Sequence, residues 1–219
     1  MRYLLLMLFS FGLHAQTLDD CQFAFTKLGD GSGMDQVSTA CKDYVANNAN
    51  ANAKASIKTE DRDREYFAYK NAILSHYKTT DKRYLTSGSN TLLENAIALH
   101  YDHINKEIYI IDQKSSRVLV FLSEIPGNVA PVRVLEKEEL VGASDLTVMA
   151  DTLYVLNSIT NKVLVYNRLA SVKARDDKQY LEIVQSVDVP LSAVSIEALD
   201  GSLVLKDQDG NQLSTLKLE

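Results

Sequence analysis

Glu107-Ile-Tyr-Ile-Ile-Asp-Gln-Lys-Ser-Ser-Arg-Val-Leu-Val-Phe121 returns 45 positions later as Thr152-Leu-Tyr-Val-Leu-Asn-Ser-Ile-Thr-Asn-Lys-Val-Leu-Val-Tyr166. A weaker third copy, Ser202-Leu-Val-Leu-Lys-Asp-Gln-Asp-Gly-Asn-Gln-Leu-Ser-Thr-Leu216, follows after 50 more. Recurrence at a near-constant spacing marks stacked supersecondary units, each unable to bury its apolar face alone. Each copy holds two short runs of Ile, Leu, Val and Tyr around a polar centre, the pattern of two strands joined by a turn.

Strands flank each copy. A first strand is expected at Asn95–Leu99, Asp145–Met149 and Ala193–Ile196, and turns follow around Asp102–Lys106, Ala150-Asp151 and Asp200-Gly201. Aspartate-glycine is the strongest short hairpin signal. Fourth, outer strands are expected at Pro131–Leu135 and Tyr180–Gln185. Four antiparallel strands per unit make the blade of a β-propeller. Three blades over residues 92–219 are too few for the usual ring of about 4–8. The open edges then call for a cover from the helical N-terminal region, for a homodimer that joins two half-rings, or for strands curled into a small sheet, with the helical cover the favoured solution.

The turn inside each copy is the most regular element. Asp112, Asn157 and Asp207 open it, and Arg117, Lys162 and Gln212 close it. An Asp or Asn side chain accepts from backbone amides of the turn it begins. The long donor at the far end is expected to reach carbonyls or the opening side chain across the hairpin, as a structural clasp.

Ile-Tyr-Ile-Ile-Asp-x4-Arg-Val-Leu-Val-Phe and Leu-Tyr-Val-Leu-Asn-x4-Lys-Val-Leu-Val-Tyr resemble NHL-type propeller repeats. Gly127-Asn-Val-Ala-Pro-Val-Arg133 also resembles the segment between blades in exported bacterial propellers of this type. The resemblance covers roughly residues 92–219 and implies a binding scaffold. Some relatives are lyases with histidine and metal at the propeller centre, and nothing in this sequence matches those positions.

The region upstream differs in character. Met1-Arg-Tyr followed by an apolar run to Leu13, then His14-Ala15, has the layout of a secretory signal peptide over residues 1–15. Its loss would make the formal charge of −6 one unit more negative. No other segment is apolar enough to span a bilayer. Residues 16–80 are expected to be helical. Cys21, Phe25 and Leu28 form one stripe, and Met34, Val37, Cys41 and Val45 a second. Cys21 and Cys41 would then lie on adjacent helices in an oxidising compartment, with a disulfide as the expected state. A third helix is expected from Asp61, with Tyr66, Tyr69, Ile73 and Tyr77 as its stripe, and residues 81–91 as a linker. The fold class is therefore α+β, a short helical region followed by a propeller-like β array.

The acidic balance and the absence of a basic cluster speak against nucleic-acid binding. No phosphate-cradling loop, nucleophile elbow or zinc-protease helix occurs. His100-Tyr-Asp-His103 is the local cluster nearest to a metal site, and Asp207-x-Asp209-Gly210-Asn211 holds a fragment of a calcium loop. Both are read as turn chemistry, with neither metal nor cofactor expected. The innermost strands read as mostly Ala, Ile, Leu and Val, which disfavours a lyase or hydrolase at the propeller centre. The expected role is a non-catalytic binding or protein-interaction module, periplasmic or secreted, that takes an unknown protein or small ligand; a structural assembly subunit is the other alternative. The candidate recognition residues are His100, Asp102, His103, Asp151 and Asp200, at the turns on one end of the units.

Overall fold

A computed structural model of the chain describes residues 54–58, 63–69, 71–80, 82–125, 127–169 and 185–217. These residues form four antiparallel sheets. Blade 1 contains β1 (Ala55–Lys58), β2 (Arg64–Tyr69), β3 (Ala72–Tyr77) and β4 (Lys82–Ser87). Blade 2 contains β5 (Ala96–Asp102), β6 (Glu107–Asp112), β7 (Arg117–Leu122) and β8 (Arg133–Glu136). Blade 3 contains β9 (Ala143–Met149), β10 (Thr152–Asn157), β11 (Lys162–Asn167) and β12 (Gln185–Asp188). Blade 4 contains β13 (Ser195–Leu199), β14 (Ser202–Lys206) and β15 (Gln212–Lys217). Within each sheet the strands follow chain order as a meander. The first strands β1, β5, β9 and β13 lie side by side in that order, so they are the innermost strands of the array.

The sandwiching of blades explains why the repeated stretch reads as nearly continuous apolar sequence. On β6, Ile108 and Ile110 pack toward blade 1 with Tyr66, Ile73 and Leu99. Tyr109 and Ile111 point the other way, into a core shared with Leu146, Val155 and Tyr166 of blade 3. Alternate side chains of a strand face opposite sides of its sheet, so a strand between two neighbours must be apolar at both parities. All six residues of β6 are buried. A third core joins Tyr154 and Leu156 of blade 3 to Ile196, Leu203 and Leu205 of blade 4. Each such Leu or Ile, fully buried, contributes about 1.5–3 kcal/mol. Blade 4 ends the described array differently: β15 has no fully buried residue, and Glu197 and Lys206 pair with each other.

The turns follow one recipe. Lys106, Ser116 and Asn161 each precede a strand with positive φ, at 57°, 53° and 55°. This is the hairpin in which a residue in the left-handed region closes a tight turn. Its small strain is offset by the Asp or Asn that opens each loop.

Two expectations from sequence are corrected here. The helix expected from Asp61 through Tyr77 is instead the β2–β3 hairpin, with Arg64 opposite Tyr77 and Tyr69 opposite Ala72. Part of the expected linker, Lys82–Ser87, is β4, paired along its length with β3. The array therefore has four sheets where three were expected, and among the described residues there is no α-helix, so what is described is all β where α+β was expected. The signal peptide, the two upstream helices and the Cys21–Cys41 pair lie outside the described residues.

Candidate functional site

The register of the inner strands aligns three polar residues. His100 pairs opposite Tyr109, Thr147 opposite Tyr154 and Glu197 opposite Val204, the same step of blades 2, 3 and 4. His100 and Thr147 meet across the blade boundary, with Nδ1 and Oγ1 at 3.5 Å. These residues border a cavity of about 590 Å³ lined by β5, β9 and β13, with Asp145, Met149, Ile104 and Lys206 also on its walls. That volume falls in the range of small-ligand sites. The expectation of apolar innermost strands is thus corrected: their axis-facing positions carry His, Thr, Asp and Glu.

Burial sets the electrostatics of this cleft. It lowers His100 to about 4, although Asp102 pulls the other way, so the imidazole is neutral at physiological pH. Burial also pushes Asp145 up to about 6, against the backbone hydrogen bonds that favour its charge. Asp145 Oδ2 accepts from the Ile196 amide at 2.9 Å and Oδ1 from the Leu146 amide at 2.9 Å. It thereby ties β9 to β13 while facing the cavity. Glu197, more exposed, is paired with the Lys206 ammonium.

The candidate residues read from sequence divide. His100, Asp102 and His103 line the cleft, whereas Asp151 and Asp200 do not. Asp102 is occupied within its own turn, where it accepts from the amides of Ile104 and Asn105 at 3.0 and 3.2 Å and from Asn105 Nδ2 at 2.7 Å. Asp151 is exposed and faces Arg168 Nε at 3.4 Å. Asp200 sits in the β13–β14 turn with φ 48°. Sequence reasoning missed Asp145, Thr147, Glu197 and Lys206. One signal would have found Thr147 and Glu197: counting to the inner-strand position opposite the repeated Tyr154 and its counterpart Val204.

The clasp residues also divide. Asp112 accepts from the amides of Glu94 and Asn95 at 2.6 and 2.8 Å and from the Ser115 amide at 3.1 Å. Asn157 accepts from the amides of Ile159 and Thr160, both at 3.0 Å. Asp207 accepts from the amides of Asp209 and Asn211 at 2.9 and 2.8 Å. The closing residues behave otherwise than expected. Arg117 reaches outward to Glu136 on β8, with Nε–Oε2 at 3.0 Å, and Lys162 turns toward Asp188 on β12 at 4.0 Å. The outer strand supplies a carboxylate directly opposite each cation, so the Coulomb attraction lies across the sheet edge and away from the turn. Gln212, with no charge, bonds Thr215 at 2.9 Å.

A polar cluster lies at the seam of blades 2 and 3. Glu107 Oε2 accepts from Tyr109 Oη at 2.7 Å, Arg133 Nη2 at 2.6 Å and Arg168 Nη1 at 3.0 Å. Burial alone would raise the Glu107 carboxyl, but hydrogen bonds from Arg133 and Tyr109 hold it below its ordinary value. The same cluster, after burial, pushes the Tyr109 phenol up, because ionising it would place a second negative charge beside Glu107.

The meander blades, the inner row of first strands and the axis-facing cleft define a β-propeller fold, and solved structures agree. The chain is similar to the β-propeller domain of Cps50 (Swd1) from Myceliophteria thermophila, with TM-score 0.54 and 10% identity, over 84% of this chain and 57% of that one. It is also similar to BamB from Moraxella catarrhalis, with TM-score 0.50 and 11% identity, over 75% of this chain and 44% of that one. The chain thus spans about half the length of these structures, and at such identity the likeness defines the fold alone. No family model matches the chain, so the NHL-type resemblance has no such support. No curated protein matches it in sequence.

Proposed function

We propose that this chain is a non-catalytic binding module of the cell envelope, exported through its first 15 residues, with the cleft across β5, β9 and β13 as its ligand seat. One observation carries the reading: His100, Thr147 and Glu197 stand at one register level over a 590 Å³ cavity. A rigid sheet frame with polar groups converging on a cavity is the usual form of a recognition site. The neutral imidazole and the threonine hydroxyl each donate and accept hydrogen bonds, and Ile104 and Met149 add apolar wall. That combination suits a small polar ligand or a side chain presented by a partner protein.

The test places a photoreactive residue at position 147 and, as control, at exposed Lys114. Specific cross-links from 147 that vanish in Gly, Ala or Ser variants of His100 support the cleft. Equal cross-linking from both positions refutes it. Export is tested separately: a mature N-terminus after residue 15 in the envelope fraction supports it, and an intact Met1 in the cytoplasm refutes it.

A lyase or hydrolase reading draws on a different observation, the two oppositely perturbed groups His100 and Asp145 on one cavity wall. Turnover that follows a bell between their two ionisations, and disappears in His100→Gln, would favour it over simple binding.

A further inference from the structure

The seam of blades 1 and 2 repeats the geometry of the seam of blades 2 and 3 with a guanidinium in place of the carboxylate and uncharged side chains in place of its two arginines. Tyr66 pairs opposite Ser75 and then Tyr84, as Tyr109 pairs opposite Val120 and then Arg133. Tyr66 and Tyr109 are therefore the same position in successive blades, and each faces the next blade. Two residues earlier stand Arg64 and Glu107. The next blade contributes Ser123 to the first seam and Arg168 to the second. Both follow their strands at the same step, and their amides donate to Lys106 O and Asp151 O at 2.9 and 2.8 Å.

In the second seam the Glu107 carboxylate satisfies the tyrosine hydroxyl and two guanidinium groups. In the first seam the carboxylate position is taken by Arg64. The buried hydroxyls of Tyr66 and Ser123 have no hydrogen-bond partner among the described residues. Beside them is a cavity of about 320 Å³ lined by Arg64, Tyr77, Tyr84, Ser123 and Glu124. The Arg64 guanidinium lies over the Tyr77 ring at 4.6 Å, and Tyr77 meets Tyr84 edge to face at 5.5 Å. Burial pushes the Tyr66 phenol up to about 12, so it is a neutral hydroxyl with a proton to donate. Glu124 Oε1 stands 3.9 Å from Arg64 Nη1, too long for a hydrogen bond, and its side chain is largely exposed.

We propose that this seam is a binding site for an organic carboxylate, which sits in the cavity beside Arg64 and supplies the negative charge that Glu107 supplies in the next seam. The guanidinium offers paired N–H donors matched to the two oxygens of a carboxylate. Ser123 on the cavity wall adds a hydroxyl donor, and the buried Tyr66 hydroxyl stands behind Arg64 as Tyr109 stands beside Glu107. The rings of Tyr77 and Tyr84 supply apolar walls for the body of the ligand, which favours a carboxylate on a hydrocarbon frame over a free phosphate. The site is separate from the cleft of the inner strands and does not depend on that reading.

The experiment is an amide NMR titration of the full chain with cyclohexanecarboxylate, and in parallel with inorganic phosphate. The expected result is saturable shifts at Tyr77, Ser123 and Glu124, with Kd of about 1 mM as befits a fragment, and weaker response to phosphate. Glu124→Gln removes a competing carboxylate and should tighten binding about threefold. The double variant Arg64→Glu with Ser123→Arg rebuilds the Glu107–Arg168 pair of the blade 2–3 seam. It should fold at least as stably as the parent and lose the carboxylate response by about tenfold or more. Shifts confined to His100 and Thr147, an unchanged response in the folded double variant, or looser binding in Glu124→Gln would each overturn the assignment. Stronger binding of phosphate than of the carboxylate would overturn the ligand class.

Discussion

Asp112 and Asn157 occupy the same place in successive blades and grip opposite ends of the peptide groups they meet. Asp112 accepts from the amides of Glu94 and Asn95. Asn157 donates through Nδ2 to the carbonyls of Glu139 and Val141 at 2.7 and 2.8 Å. Both side chains are fully buried. The preceding segment presents donors in blade 2 and acceptors in blade 3, and one substituent, oxygen or NH2, answers each.

The two positions are therefore not interchangeable. Asn157→Asp would place a carboxylate oxygen against two carbonyl oxygens in a buried site. We expect a loss of about 3–5 kcal/mol, read from urea midpoints at neutral pH. Acidification should restore part of it, because a protonated carboxyl regains one donor. Asp112→Asn should cost less, about 1–3 kcal/mol, since one acceptor oxygen remains. Equal effects of the two exchanges would refute this account.

Tyr166 tests the converse situation, a buried polar group that does nothing for stability. Its side chain is fully buried in the core of blades 2 and 3, its hydroxyl has no hydrogen-bond partner among the described residues, and burial pushes the phenol up. Removing an unsatisfied hydroxyl while keeping the ring relieves its desolvation cost. Tyr166→Phe should leave stability unchanged or raise it by about 1 kcal/mol. Tyr109→Phe, which removes the donor to Glu107, should destabilise. A drop in melting temperature for Tyr166→Phe as large as that for Tyr109→Phe would contradict the reading.

These contrasts show which parts of the molecule were legible in its sequence. The hairpins β6–β7 and β10–β11 were readable because both faces of each strand are buried and the turns between them keep a fixed length. Asp112, Asn157 and Asp207 were readable as turn openers for the same local reason. Blade 1 was misread as a helix because Tyr66, Tyr69, Ile73 and Tyr77 fall at helical spacing. In a strand buried on both sides every parity is apolar, and Tyr66, Phe67, Ala68 and Tyr69 are all buried. Such a run satisfies a period of 3.6 as easily as a period of 2. The reversal between Tyr69 and Ala72 was the discriminating signal. The cleft was only half legible. His100 stood out by residue type, whereas Asp145, Thr147 and Glu197 become a site through the register of three strands far apart in sequence.

Glu107 is the polar keystone of the blade 2–3 seam, and its removal should be felt beyond the loss of one hydrogen bond. Arg133 and Arg168 have side chains 15% and 12% exposed and share that carboxylate, which for Arg168 is supplemented by exposed Asp151. Glu107→Gln keeps the shape but takes the counter-charge from Arg133 and leaves Arg168 with exposed Asp151 alone, at a cost of about 3 kcal/mol. The Glu107 carboxyl is held below its ordinary value. Its contribution is therefore complete above its unfolded-state value and lost as pH falls through the lower folded one. The gap in urea stability between parent and variant should accordingly narrow in acid. A gap that is constant with pH would show that the carboxylate charge is not what holds the seam.

His100 and Asp145 should impose opposite pH dependences on the same cleft. His100 is lowered from 6.5 to about 4, so the stability it permits is complete above 6.5 and lost as pH falls through 4. Asp145 is raised from 3.8 to about 6, so its contribution is complete below 3.8 and lost as pH rises through 6. Displacements of this size are each worth about 3 kcal/mol. In the parent the two nearly cancel between neutral pH and about pH 3.5. Single variants should expose them. Relative to the parent, His100→Gln should gain about 3 kcal/mol over that descent, and Asp145→Asn should lose a similar amount. Urea midpoints taken across the range read both slopes. Parallel slopes in the two variants would mean that burial does not govern these ionisations. An imidazole titrating near its ordinary value by NMR would add that His100 is wetted at the cleft floor and carries charge in mild acid.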